Sequence, residues 1–216
     1  MKKVVAIILA AGRGSRAGAG LPKTYREIDG TPVLRKTIDV FLSCSSISNV
    51  QVVIHPDDIE HYQRAINGLN LPKPIFGGDS RAQSVSNAIS AIDAEFVLIH
   101  DGARPFVSQD VIMRVVNKLH EGLDGVIPAI MAVDAMWQVN GEYLVVPIDR
   151  STVVRAQTPQ GFHFAKYKAA LEMANAKDTI LDDAQAAIQM GLTVAWVDGD
   201  AQNVKLTFPE DFEAET

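Results

Sequence analysis

The sequence predicts a doubly wound α/β fold built on a mostly parallel sheet. Three observations point to it: short β-branched runs that are apolar on both faces, longer amphipathic stretches alternating with them, and a glycine-rich connection behind the first run. A strand covered by helices on both sides has no solvent face, so its sequence is continuously apolar. Residues 4–10 (VVAIILA), 50–56, 73–78, 95–101, 125–130 and 192–199 fit that description. Helix starts lie between them. Thr31 and Pro32 offer an N-cap and an N1 proline for a helix over 33–43, Asp79 and Ser80 precede one over 81–92, and Ser108 precedes one over 109–122. In LDDAQAA (181–187), paired acids mark a further helix start, where the macrodipole favours them.

One segment breaks the alternation. Residues 135–146 form two β-like arms about Asn140-Gly141, a hairpin signal because both residues tolerate positive φ. Two placements are equally consistent with the pattern: a hairpin packed flat on the domain, or an arm over about 133–152 reaching a second subunit, which would hide Trp137, Tyr143 and Leu144. Residues 1–216 read as a single domain with this appendage, since no linker, repeat or low-complexity tract divides them.

Twenty Lys and Arg stand against 26 Asp and Glu, a net charge of −6, so no global basic field draws the chain to nucleic acid or to a membrane surface. Any anionic ligand must be held by a local cluster. The lone Cys44, in an apolar context, reads as a small buried side chain in a reducing compartment. The start MKKVVAIILAAGRG imitates a secretion signal, but glycines and arginines follow at once and no disulfide framework lies downstream, so a cytoplasmic protein is expected. His55, His61, His120 and His163 lack metal-ligand spacing and read as structural.

The glycine segment Gly12-Arg13-Gly14-Ser15-Arg16-Ala17 satisfies the permissive dinucleotide pattern, but its expected acids, Glu27 and Asp29, fall in a turn and not at the end of a second strand. A P-loop fails too, because Pro22 precedes Lys23 where that motif requires glycine. What remains is a strand-to-helix connection carrying Arg13, Arg16 and Lys23 among glycines. A nucleoside triphosphate needs that mixture, with backbone N–H groups for phosphate oxygens and fixed cations for charge developing at the α-phosphate. Similarly, FVLIHDGARP ends an apolar strand in His100, Asp101 and Arg104, where a carboxylate can hold a cation or accept hydroxyl hydrogen bonds and the arginine can fix a phosphate or orient the acid.

Five segments together carry a family resemblance: AAGxGxR…PK at 10–23, GGDSRAQSV at 77–85, HDGARP at 100–105, DRSTVVRAQTPQGF at 149–162 and NVKLT at 203–207. In this order they span almost the whole chain, which resembles the 2-C-methyl-D-erythritol 4-phosphate cytidylyltransferases. The resemblance implies a Rossmann-like nucleotidyltransferase fold and a reaction of CTP with the polyol phosphate. It implies that Ala10, Ala11, Gly12, Gly78, Asp79 and Ser84 surround cytosine, that Gly14 and its loop position the triphosphate, and that Lys205 faces CTP and its magnesium. Arg16 and Lys23 would stabilise the transition state, Asp101 and Arg104 would contact the methylerythritol phosphate, and Arg150 would serve a neighbouring subunit's site in a homodimer. Mg2+ is the implied cofactor, held mainly by the CTP phosphates.

The family pattern has Thr where Ala135 stands, Lys where Trp137 stands, and often an acid at Gln202. Alternatives are a cytidylyltransferase for another polyol phosphate such as ribitol 5-phosphate, a non-catalytic nucleotide-binding protein of the same fold, and a dinucleotide oxidoreductase, which the missing acid disfavours.

Overall fold

The computed structural model describes residues 3–12, 20–173 and 182–212. In chain order the elements are β1 (Val4–Ala10), β2 (Glu27–Ile28), β3 (Thr31–Pro32), α1 (Val33–Ser43), β4 (Asn49–Ile54), α2 (Ile59–Ala65), β5 (Ile75–Phe76), α3 (Arg81–Ala91), β6 (Phe96–Asp101), α4 (Gln109–His120) and β7 (Gly125–Met131). There follow β8 (Met136–Asn140), β9 (Tyr143–Ile148), β10 (Val154–Ala156), β11 (Gln160–His163), α5 (Phe164–Met173), α6 (Asp183–Gln189) and β12 (Val194–Asp198).

The main sheet runs β5, β4, β1, β6, β11, β7, with β10 and β12 also paired to β7. β1 is parallel to β4 and β6, β4 to β5, and β12 to β7. Among the described strands of this sheet, only β10 and β11 run antiparallel to their neighbours. The fold is therefore the expected mostly parallel, doubly wound sheet.

The pleat explains why both strand faces are apolar. Even residues of β1 (Val4, Ala6, Ile8, Ala10) pack in a core with α1, α2 and α4, whereas Ile7 points into a second core with α3, α5 and α6. The chain leaves β1 towards β4 and β5 on one side and crosses back to β6 on the other. Open α/β sheets bind their ligands outside the carboxyl ends of the strands at such a reversal.

Two local expectations need correction. Thr31 does not cap α1: it lies in β3, and Pro32 is the N-cap, without a side-chain cap bond. The pairing of Thr31 with Ile28 in β2 takes its backbone out of the capping position. Before α3, Ser80 and not Asp79 is the cap, accepting from Gln83 N–H. Ser108 and Asp182 cap α4 and α6 as their sequences suggest.

The hairpin is an arm. β8 and β9 pair only with each other, and every residue of β9 is exposed, with Tyr143 at 78% and Leu144 at 63%. Its turn lies one residue later than Asn140-Gly141, because Asn140 pairs with Tyr143 and the loop is Gly141-Glu142. Gly141 alone takes positive φ (59°), the arrangement that puts glycine first in a two-residue turn. No helix among the described residues is long and apolar enough to cross a membrane.

Candidate active site

A cleft of about 530 Å³ opens at the carboxyl ends of β1, β4 and β6. It gathers Ala10, Ala11, Gly12, Lys23, Gly78, Asp79, Ser84, Asp101 and Lys205, all singled out in the sequence, with Arg81, Ser80, Thr24 and His55 beside them. Arg16 and Gly14 lie outside the described residues. Arg104 stands behind Asp101, not on the cleft surface, and Arg150 sits at the exposed base of the arm, where its guanidinium donates to the Val133 carbonyl.

One wall is shaped by glycines. A Cβ on Gly77 would stand 2.5 Å from the Ala11 Cβ and 2.7 Å from Ser84 Oγ, so only glycine lets this turn close against β1. Ser84 Oγ donates to the Ser80 carbonyl (2.9 Å) and accepts from Gly78 N–H (3.1 Å). Both hydroxyl functions thus fix the turn, leaving Gly78 and the exposed Asp79 at the rim. Opposite, Lys23 follows Pro22 in a single 3₁₀ turn whose next two residues are buried, and its Nζ donates to the Leu206 carbonyl at 2.8 Å.

Asp101, at the tip of β6, is the electrostatic centre. Lys205 Nζ lies 2.8 Å from Oδ2, Arg104 Nε 3.6 Å from Oδ2 and Arg81 Nε 3.8 Å from Oδ1. Burial alone would push its carboxyl up, but Lys205, Arg81 and Arg104 together hold it well below the usual carboxylate range. Arg104 also donates to the Asn203 carbonyl at 2.7 Å, which ties it to the segment that carries Lys205. Among the described residues that line the cleft, Lys23, Arg81 and Lys205 stand against Asp79 and Asp101, so cations outnumber acids on its surface in a chain of net charge −6. Such a field suits an anionic ligand.

Arg81 escaped the sequence reading. It forms a fork with Asp183 (2.9 and 2.6 Å), which also accepts from Tyr167 OH (3.0 Å). Burial works against the Arg81 charge, yet the Asp183 carboxylate outweighs it and holds the guanidinium above its ordinary value. The partners are distant in sequence and no local pattern joins them. His55 has the structural place expected of it, capping a 3₁₀ turn by accepting from Asp57 N–H (3.2 Å), and it also lines the cleft. The other three keep structural places, His61 against Tyr25 and His120 and His163 around Phe96.

His100, wholly buried behind Asp101, places Nδ1 3.0 Å from Thr158 Oγ1 and Nε2 3.1 Å from the Arg104 carbonyl. Burial pulls its pKa from 6.5 down to about 4. An unfolded chain therefore takes up a proton near 6.5 that the native state refuses until about 4, so stability is lost as pH falls through that window. The expected loss between pH 7 and pH 5 is about 2 kcal/mol. Chemical denaturation at the two pH values checks it: His100→Gln should remove that part of the slope, and equal slopes in both proteins would contradict it.

The family model described as 2-C-methyl-D-erythritol 4-phosphate cytidylyltransferase matches residues 4–216. A bifunctional enzyme IspD/IspF of Paramagnetospirillum magneticum is 40% identical over 99% of this chain and 56% of its own length. A 2-C-methyl-D-erythritol 4-phosphate cytidylyltransferase of Cereibacter sphaeroides is 42% identical over 96% of this chain and 92% of its own. The chain thus spans about half the length of its bifunctional relatives. Among solved structures, 4-diphosphocytidyl-2C-methyl-D-erythritol synthase from Anaerococcus prevotii superposes with a TM-score of 0.86 at 27% identity, covering 99% of this chain and 94% of that one. On the family match over nearly its whole length, the chain belongs to the 2-C-methyl-D-erythritol 4-phosphate cytidylyltransferase family.

Proposed function

We propose that this chain transfers the cytidylyl group of CTP to the phosphate of 2-C-methyl-D-erythritol 4-phosphate and releases pyrophosphate. The observation that carries the reading is the cation-rich cleft at the ends of β1 and β6, in a chain that matches the family over residues 4–216. A phosphate oxygen attacks the α-phosphorus in line. A new P–O bond forms as the bond to the bridging oxygen of the β-phosphate breaks, and pyrophosphate leaves with that electron pair. The attacking oxygen is already anionic, so no side chain has to remove a proton.

In this reading the backbone of Ala10, Ala11 and Gly12 and the Gly78-Asp79-Ser84 wall take cytosine, while Gly14 and its loop take the triphosphate. Lys23, with Arg16, meets charge developing at the α-phosphorus. Lys205 faces the triphosphate and its ion. Asp101, held by Arg104, accepts polyol hydroxyls.

Asp101 is a poor magnesium ligand here, because Lys205, Arg81 and Arg104 already surround it. Among the described residues no three His, Cys, Asp or Glu side chains cluster as a metal cage. The triphosphate itself supplies hard oxygen ligands, and magnesium bound there would neutralise phosphate charge. Pyrophosphate release is expected to stop in excess chelator and to return with magnesium, without added zinc. Full activity in chelator would contradict this.

The exposed apolar arm supports a homodimer, in which a second copy covers Tyr143 and Leu144 and Arg150 reaches the partner's cleft. Pyrophosphate release from CTP with a panel of polyol phosphates tests the substrate assignment. Methylerythritol phosphate is expected to be the preferred acceptor. Preference for ribitol 5-phosphate would select the alternative and make Ala135 and Trp137 its first suspects.

A further inference from the structure

From the arm, the chain returns through β10 directly into Gln157, which lies buried under the segment following β12. Gln157 Nε2 donates to the Asp200 carbonyl at 2.7 Å, and Gln157 Oε1 accepts from Asp200 N–H at 3.0 Å. A peptide N–H can only donate and a carbonyl can only accept, so these two bonds fix the amide's orientation. The side chain pairs with this segment much as a neighbouring strand would.

The contact is extended on both sides. A Cβ on Gly199 would stand 2.4 Å from Gln157 Oε1, so the amide can approach only because residue 199 is glycine. Asn203, wholly buried, donates from Nδ2 to the Thr158 carbonyl at 2.8 Å, and Gln157 Nε2 lies 3.3 Å from the Asn203 carbonyl. Beyond β12, Gly199 N–H still reaches the Ala129 carbonyl at 2.8 Å, and the backbone next reaches the β6 side at Leu206 N–H, 2.9 Å from the Ala103 carbonyl. Between those two points the segment is held over the cleft by Gln157 at Asp200, by Asn203 at the Thr158 carbonyl and by the 2.7 Å bond from Arg104 to the Asn203 carbonyl. Two residues past Asn203, Lys205 arrives at Asp101.

We propose that Gln157, through its two bonds to Asp200, is a positioning residue for the Lys205 ammonium over the reacting phosphates. The proposal rests on the role given to Lys205 above. A cation that must meet phosphate oxygens loses much of its value when displaced by about 1 Å. Leu at 157 removes both bonds to Asp200, whereas Glu keeps an acceptor for Asp200 N–H but sets a carboxylate against the Asp200 carbonyl, which retains only Asn203 N–H at 3.0 Å; either change loosens the segment.

The test has two readouts in the full chain. First, acylation of Lys205 by an amine-reactive reagent is followed by mass spectrometry in wild type, Gln157→Leu and Gln157→Glu. Release from Asp101 should raise the Lys205 labelling rate several-fold while other lysines stay constant, and an unchanged rate would overturn the proposal. Second, kcat/KM is measured for Gln157→Leu alone and in a Lys205→Ala background. A loss of about tenfold is expected with Lys205 present and less than about twofold without it. The same loss in both backgrounds would show that Gln157 acts on the fold and not through Lys205.

Gly199→Ala, which pushes on the amide from the other side, should reproduce both results and serves if Gln157→Leu does not fold. A wild-type protein that releases no pyrophosphate from CTP and any polyol phosphate would remove the cytidylyl reading. The labelling result would still decide whether Gln157 positions Lys205.

Discussion

Lys23→Ala is expected to lower kcat about a hundredfold while changing CTP affinity much less, because a fixed cation facing charge that develops during displacement is missed mainly in the transition state. The local structure favours such a role. Pro22 pins the backbone ahead of a single 3₁₀ turn, Thr24 and Tyr25 anchor that turn in the interior, and the Leu206 carbonyl holds the ammonium at 2.8 Å inside the cleft. A cation already placed has little reorganisation left when charge appears. Steady-state turnover and CTP binding by calorimetry separate the two quantities. A loss in kcat of less than about tenfold, near 1.4 kcal/mol, would contradict the assignment.

The second large effect is recovery, not loss. Arg150 lies at the base of an exposed arm and does not line its own chain's cleft, so its proposed phosphate is in the partner's site. Arg150→Ala should raise KM for the polyol phosphate and leave CTP binding nearly intact, since a guanidinium fork would be lost from that phosphate alone. Assayed below that raised KM, Arg150→Ala and Lys23→Ala proteins should each be nearly inactive. Mixed under conditions of subunit exchange, they should regain about a quarter of wild-type activity, because half of the dimers are hybrid and each hybrid holds one site free of both changes. No recovery despite demonstrated exchange, or a monomer at working concentration, would place Arg150 in its own chain's chemistry or outside it.

How much of this was legible depended on whether a physical signal was local. β1, β4, β6 and β7 are covered on both faces, and their apolar runs announce them. β10 and β11 are short, antiparallel and rich in polar residues such as Arg155 and Gln160, so no run marks them. The arm's turn shifted by one residue because pairing of Asn140 with Tyr143 leaves Gly141 as the one residue of this turn with positive φ, which the dipeptide alone could not show. Asp101, Lys23 and Lys205 were legible from their motifs. Arg81 was not, since its fork with Asp183 joins the start of α3 to the start of α6. Gln157 stood inside a quoted motif, yet its meaning comes from a bond to Asp200 that only the folded sheet creates.

The central claim is that this cleft directs attack to the α-phosphorus of CTP. Phosphorus NMR of the protein with CTP, magnesium and 2-C-methyl-D-erythritol 4-phosphate tests it most directly. The account predicts the coupled pair of resonances of an unsymmetrical cytidyl diphosphate ester, growing together with free pyrophosphate in equal amount. Formation of CDP or inorganic phosphate in its place would mean attack at another phosphorus, and an unchanged CTP spectrum would mean that the cleft does not perform this transfer.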